Sequence, residues 1–110
     1  MNLRKGDVCS VNLSGSVGHE QFGNRPAIVL ATTDTSIVVV IPLSANLDAS
    51  RFTHTVLLSP SKNNGLVKQS VAFLFHIRAI EARRIEKNSG HVDEKTLRKI
   101  DSGIRLLLSL

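Results

Sequence analysis

Residues 18–26 read GHEQFGNRP and hold His19, Glu20, Gln21, Asn24 and Arg25, bracketed by Gly18 and Gly23 and closed by Pro26. A connection needs turn formers, but it does not need an imidazole, a carboxylate and a guanidinium so close together. An imidazole titrates near neutrality and can give or take a proton, and a carboxylate can orient it or act as a base itself. A guanidinium presents parallel N–H donors that match the oxygens of a phosphate. Those are the parts of a proton-transfer site acting on an anionic phosphoryl group. Glu20 and Arg25 would equally serve as a loop-stabilising ion pair, and His19 as an exposed loop residue.

The elements that must position these groups are short and mostly extended. DVCSVNL alternates, with Cys9, Val11 and Leu13 on one face and Ser10 and Asn12 on the other, which predicts a half-buried strand. PAIVLAT and SIVVVIPL are β-branched runs separated by TDTS, the pattern of two core strands joined by a tight turn. The polar stretch therefore connects the first and second strands, with Pro26 at a strand start, where no ladder donor is lost. HTVLL predicts a further strand and SPSKNNGL a loop. SVAFLFHIRAI predicts one long strand with apolar residues on both faces. Beyond it the period changes. Asp93 reads as an N-cap, Glu94 suits a first turn, and Leu97, Ile100, Ile104, Leu107 and Leu108 recur at helical spacing. Gly103 inside that helix costs about 1 kcal/mol relative to Ala, so packing must hold it. The fold class is α+β: a small SH3-like barrel of five or more bent antiparallel strands with a C-terminal helix.

With 110 residues and neither repeat nor linker, the whole of residues 1–110 reads as one domain. There is no run of about 18 apolar residues, so no membrane span is expected. MNLRKGDV lacks the apolar core of a secretory signal. The single cysteine, Cys9, cannot form an internal disulfide and reads as a small core residue. No Cys/His spacing suggests a zinc site, so no metal and no cofactor are expected, and a reducing cytoplasm is the natural home. A formal net charge of +5 favours a polyanionic partner, although many small domains are this basic for solubility alone. Four Phe with no Trp or Tyr argue against a base-stacking platform like that of an RRM or OB-fold. The apolar VAFLF stretch and the leucine-rich helix offer more apolar surface than one barrel covers, which points to a C2 homodimer.

Taken in order, KGDVCSVNL, SVGHEQFGNRPAIVL, VVVIPLSA and QSVAFLFHIRAIEARRI resemble the MazF/PemK family of toxin endoribonucleases, from Lys5 to the end of the chain. The specific part is G-H-E-Q-x-G-x-R-P following a G-D-V strand. The resemblance implies a homodimer that cleaves single-stranded RNA without a metal, and a cognate antitoxin whose acidic tail covers the active groove. Arg25 matches the family arginine and is assigned to the phosphate; a guanidinium does not deprotonate near neutrality, so it is not given proton work. Ser44 stands where the family usually carries threonine and keeps its hydroxyl donor. His19 and Glu20 complete the catalytic set. RNA contacts are assigned to Gln21, Asn24, Lys68, Gln69, His76 and Arg78, with Arg51, Lys62, Arg83 and Arg84 adding to the basic field.

Two departures stand out. Phe75 and His76 occupy positions where the family has an acidic residue and glutamine, and Phe73 stands where the PemK branch has a catalytic arginine. Two other readings follow from the same barrel: a CcdB-like gyrase poison, or an SH3-like binding module without activity. The HEQ…RP loop followed by Ser44 favours the RNA-cutting branch, and the LLLSL terminus lacks the tryptophan that CcdB-like poisons use.

Overall fold

The computed structural model describes residues 2–13 and 23–110. The alternating and β-branched segments form the expected strands: β1 (Asp7–Asn12), β2 (Asn24–Thr32), β3 (Ile37–Ser44), β4 (Thr55–Leu58) and β5 (Ser70–Phe73). They continue with β6 (Arg78–Glu81), β7 (Ile85–His91) and the helix α1 (Glu94–Leu108). The described strands pair antiparallel in the order β4-β5-β3-β2-β1-β7, with β6 following β5 on the side of β3 away from β2. The antiparallel sheet and C-terminal helix are as expected, but the SH3-like barrel is not closed among the described residues: the strand path runs from β4 at one edge to β7 at the other.

β2 and β3 are apolar on both faces because both faces are covered. One face sends Val8, Ile28, Ile41 and Leu43 into a core closed by Leu74 and Ile100; the other sends Cys9, Val11, Ala27, Val29 and Val40 into a core with Ile80 and Ile85. Alternation along each strand sorts the side chains between the two.

α1 begins as read. Asp93 Oδ1 accepts the Thr96 backbone N–H at 2.7 Å, which also lowers the Asp93 carboxyl below its ordinary value. Ile100 is fully buried, with Leu97, Ile104 and Leu107 packed around it. Leu108, the last residue of α1, departs from the expected stripe and is exposed. Gly103 is where Leu74 crosses the helix, and a Cβ there would collide with Leu74 Cδ1. No helix among the described residues is long and apolar enough to cross a membrane.

The segment expected as one long strand over residues 70–80 is broken. Between the Leu43↔Ala72 and Val40↔Arg78 pairs, β3 advances three residues and its partner six. The three extra residues leave the ladder as a 3-10 turn, Leu74–His76. Pro42, which has no N–H to give, lies in the stretch of β3 facing the break. The turn explains the apolar residues on both faces: Leu74 enters the core beneath α1, while Phe75 turns outward and is 44% exposed.

Candidate functional site

Arg25 enters the site through register. β1 and β2 pair Val11 with Arg25, and β2 and β3 pair Ala27 with Pro42. Two residues further along both strands, Arg25 and Ser44 come side by side on one face. Arg25 is half-buried, and its Nη1 donates to the Leu43 carbonyl at 3.3 Å. That bond helps to hold the guanidinium at the end of the sheet. Ser44 Oγ accepts the Asn46 backbone N–H at 3.1 Å, so the hydroxyl oxygen is fixed while its own hydrogen can turn to a ligand.

These two side chains line a cleft of about 410 Å³ where β2 starts, β3 ends and β5 starts, together with Asn46, Leu66, Lys68 and Ser70. A second hollow of about 280 Å³ shares Arg25 and adds Asn24, Ser10 and Ser89. The far wall of both is the segment between β4 and β5, which Asn64 holds in shape. Asn64 is buried; its Oδ1 accepts from the Ser61 and Leu66 backbone N–H groups, each at 3.0 Å, and its Nδ2 donates to Ser59 O at 2.9 Å. Gly65, at φ 68°, lies so close to the Ser89 carbonyl that any side chain would clash with β7. Loop chemistry thus shapes the backbone that carries exposed Lys68 to the cleft, and Ser70 Oγ donates to the Lys68 carbonyl at 3.2 Å.

The residues expected at the site are sorted accordingly. Arg25, Ser44 and Lys68 share the cleft, and Asn24 lines the adjoining hollow. Gln69 is exposed and its Nε2 donates to Ser59 Oγ at 3.2 Å. Arg78 sits opposite Val40, four residues from Ser44 along β3 and so roughly 13 Å away. His76 lies between them in a group of rings with Phe73 and Phe75. His19, Glu20 and Gln21 lie outside the described residues; at the base of their connection, the Leu13 N–H donates to the Gly23 carbonyl at 3.0 Å.

Cys9 is fully buried, and burial, helped by the nearby Asp7 charge, pushes its thiol up to about 11. It is a core residue, as its place in the alternation implied. Asp7, by contrast, was not singled out by the sequence pattern. Only 3% of it is exposed, and it receives the Arg4 backbone N–H at 3.0 Å, Asn88 Nδ2 at 3.1 Å and His91 Nδ1 at 2.9 Å. Burial alone would raise this carboxyl, but the bonds from His91, Arg4 and Asn88 outweigh it and hold Asp7 below the ordinary carboxylate value. The cluster ties the chain before β1 to β7 at one wall of a separate cleft lined also by Asn63 and Asp93.

Residues 4–108 match the family described as PemK-like, MazF-like toxin of type II toxin–antitoxin system. The endoribonuclease EndoA of Bacillus subtilis is 31% identical, over 100% of this chain and 97% of its own length. MazF (Form-I) from Deinococcus radiodurans, a crystal structure, superposes with a TM-score of 0.81 at 23% identity, covering 96% of each chain. An endoribonuclease from mycobacterial species, solved in complex with its cognate antitoxin, superposes at 0.76 and 20% identity, covering 99% of this chain and 97% of that one. The structural likenesses carry the fold, an antiparallel sheet with a C-terminal helix.

Proposed function

This chain belongs to the PemK-like, MazF-like toxin family of type II toxin–antitoxin systems, and from that membership we propose that it is an endoribonuclease that cuts single-stranded RNA without a metal. The observation that carries the reading is that Arg25 and Ser44 line one cleft together, with Lys68 on its far wall. In the proposed reaction the substrate's own 2′-oxygen attacks the adjacent phosphorus as a base removes its proton. The P–O5′ bond breaks, and an acid protonates the departing 5′-oxygen. The products are a 2′,3′-cyclic phosphate and a 5′-hydroxyl. Arg25 and Ser44 donate to the non-bridging oxygens as negative charge builds on the phosphorane. His19 and Glu20 supply the base and the acid from the connection between β1 and β2.

The partners follow the same reading. A cognate antitoxin with an acidic tail answers the net charge of +5, and a homodimer would cover Leu106, Leu108 and Leu110, which are 73%, 53% and 80% exposed. The chain would act in the cytoplasm.

The test is to incubate the purified protein, in EDTA, with a long single-stranded RNA and to map the cut ends beside an Arg25→Ala control. The expected outcome is cutting at a short recurring sequence, with 2′,3′-cyclic phosphate ends, slowed about 100- to 1,000-fold by the substitution. Intact RNA across several substrates would overturn the reading and return the chain to protein poisoning or to a binding module. Cutting that vanishes in EDTA, or ends bearing a 5′-phosphate, would overturn the proposed chemistry.

A further inference from the structure

The cleavage steps above use no residue of the ring group between Ser44 and Arg78. Phe73, Phe75 and His76 form a closed triangle: the ring centroids are 5.5 Å apart for Phe73–Phe75, 5.2 Å for Phe73–His76 and 5.0 Å for Phe75–His76. Each ring thus packs against the other two. Phe75 is 44% exposed although it packs on two neighbouring rings, and Phe73 and His76 are half-buried.

Its place on the sheet is equally specific. Ser44 pairs with Val71, and Phe73 lies two residues further on the same face, about 7 Å along β5. Arg78, paired with Val40, continues the line on that face. The order along the direction of β3 is therefore Arg25 and Ser44, then rings, then Arg78. A single-stranded nucleic acid presents phosphates and π-faces in turn, and cation–aromatic–cation spacing along a track is how such strands are held without reading base edges. The rings are lifted out because the 3-10 turn loops three residues from the ladder at this point.

Scarce aromatics argue against a broad stacking sheet like that of an RRM or OB-fold, but two of the four Phe are gathered here with His76. We propose that the Phe73–Phe75–His76 triangle is a small base-stacking platform for the RNA, with Phe75 carrying one base of a nucleotide close to that whose phosphate lies at Arg25 and Ser44. This inference rests on the ribonuclease reading and adds to it a residue that positions the substrate. Stacking is tolerant of base identity, so Phe75 would raise affinity and fix the strand rather than choose the sequence.

The probe is a short single-stranded RNA spanning the mapped cut site, with a 2′-deoxy sugar at the cut nucleotide and 2-aminopurine placed at each neighbouring position in turn. Wild-type protein is expected to quench one position through stacking, and Phe75→Ala to lose that quenching and bind about ten-fold or more weakly. Phe75→Trp restores both. Phe75 is outside both cores, and unchanged thermal melts of the variants confirm an intact fold. Wild-type protein that cuts RNA while Phe75→Ala binds with equal affinity overturns the platform alone. Wild-type protein that neither binds nor cuts removes the ribonuclease reading and the platform with it. A Phe75→Ala protein that changes its sedimentation but keeps its RNA affinity per chain assigns the rings to a contact between copies and also overturns the platform.

Discussion

Asp7 is a carboxylate taken out of water, and its three donors decide whether that stabilises or weakens the fold. Because His91 and Asn88 lie 84 and 81 residues away in the chain, nothing in the local pattern of GDVCSV announces the cluster. Arg25 and Ser44 were legible for the opposite reason: each sits in a short motif whose order can be read, and strand register then joins them. With the donors in place the Asp7 carboxyl titrates below its unfolded value of about 3.9. A depressed group contributes stability that is present above the unfolded value and is lost as pH falls through the folded value. Thermal melts from pH 7 to pH 3 should therefore hold steady down to about pH 5 and then fall. Asp7→Ala is expected to cost roughly 2 kcal/mol or more at pH 7, since it strands buried donors. Asp7→Asn should show a shallower acid limb than the wild type, because it has no carboxylate to protonate. If Asp7→Asn and wild type lose stability in parallel below pH 5, the cluster is not the source of the acid sensitivity.

At the scale of elements, the helix was legible because its signals are local: a capping Asp93, an acidic first turn and apolar residues three and four apart. The strand break at Leu74–His76 was not, because it is a mismatch of register between two segments that meet only after folding. β7 went unread for a related reason. Its seven residues, IEKNSGH, carry one large apolar side chain, and the strand owes its conformation to pairing with β1. Gly103 joins both kinds of information, since the sequence shows a helix breaker and only the packing shows its use. An alanine there would gain about 1 kcal/mol of helix propensity. Its Cβ, however, would strike Leu74, which is 1% exposed and surrounded by core. Overpacking of that kind typically costs about 1–3 kcal/mol, which outweighs the gain. Gly103→Ala should therefore lower the denaturation midpoint without changing its slope. A higher midpoint would mean that Leu74 can swing to another rotamer inside the core.

For the whole molecule, the question is how its charge divides between attraction and grip. A net charge of +5 draws any polyanion, but only cations close to phosphates release counterions when RNA binds. Arg25, Lys68 and Arg78 are the three cations assigned to the track, so the logarithm of RNA affinity should fall against the logarithm of salt with a slope near −2, taking about −0.7 per contact for a single strand. Lys68 stands exposed on a wall held rigid by Asn64, so Lys68→Ala should flatten that slope by about 0.7 while leaving the fold unchanged. Stacking releases few counterions, and Phe75→Ala should weaken binding at every salt concentration while keeping the wild-type slope. The two substitutions thus separate grip by charge from grip by rings in one titration of a non-cleavable RNA. If Lys68→Ala leaves the slope unchanged, the cleft wall does not touch phosphate and the strand leaves Arg25 in another direction. If Phe75→Ala flattens it instead, the rings act by placing a cation, with Arg78 the nearest assigned one along β3.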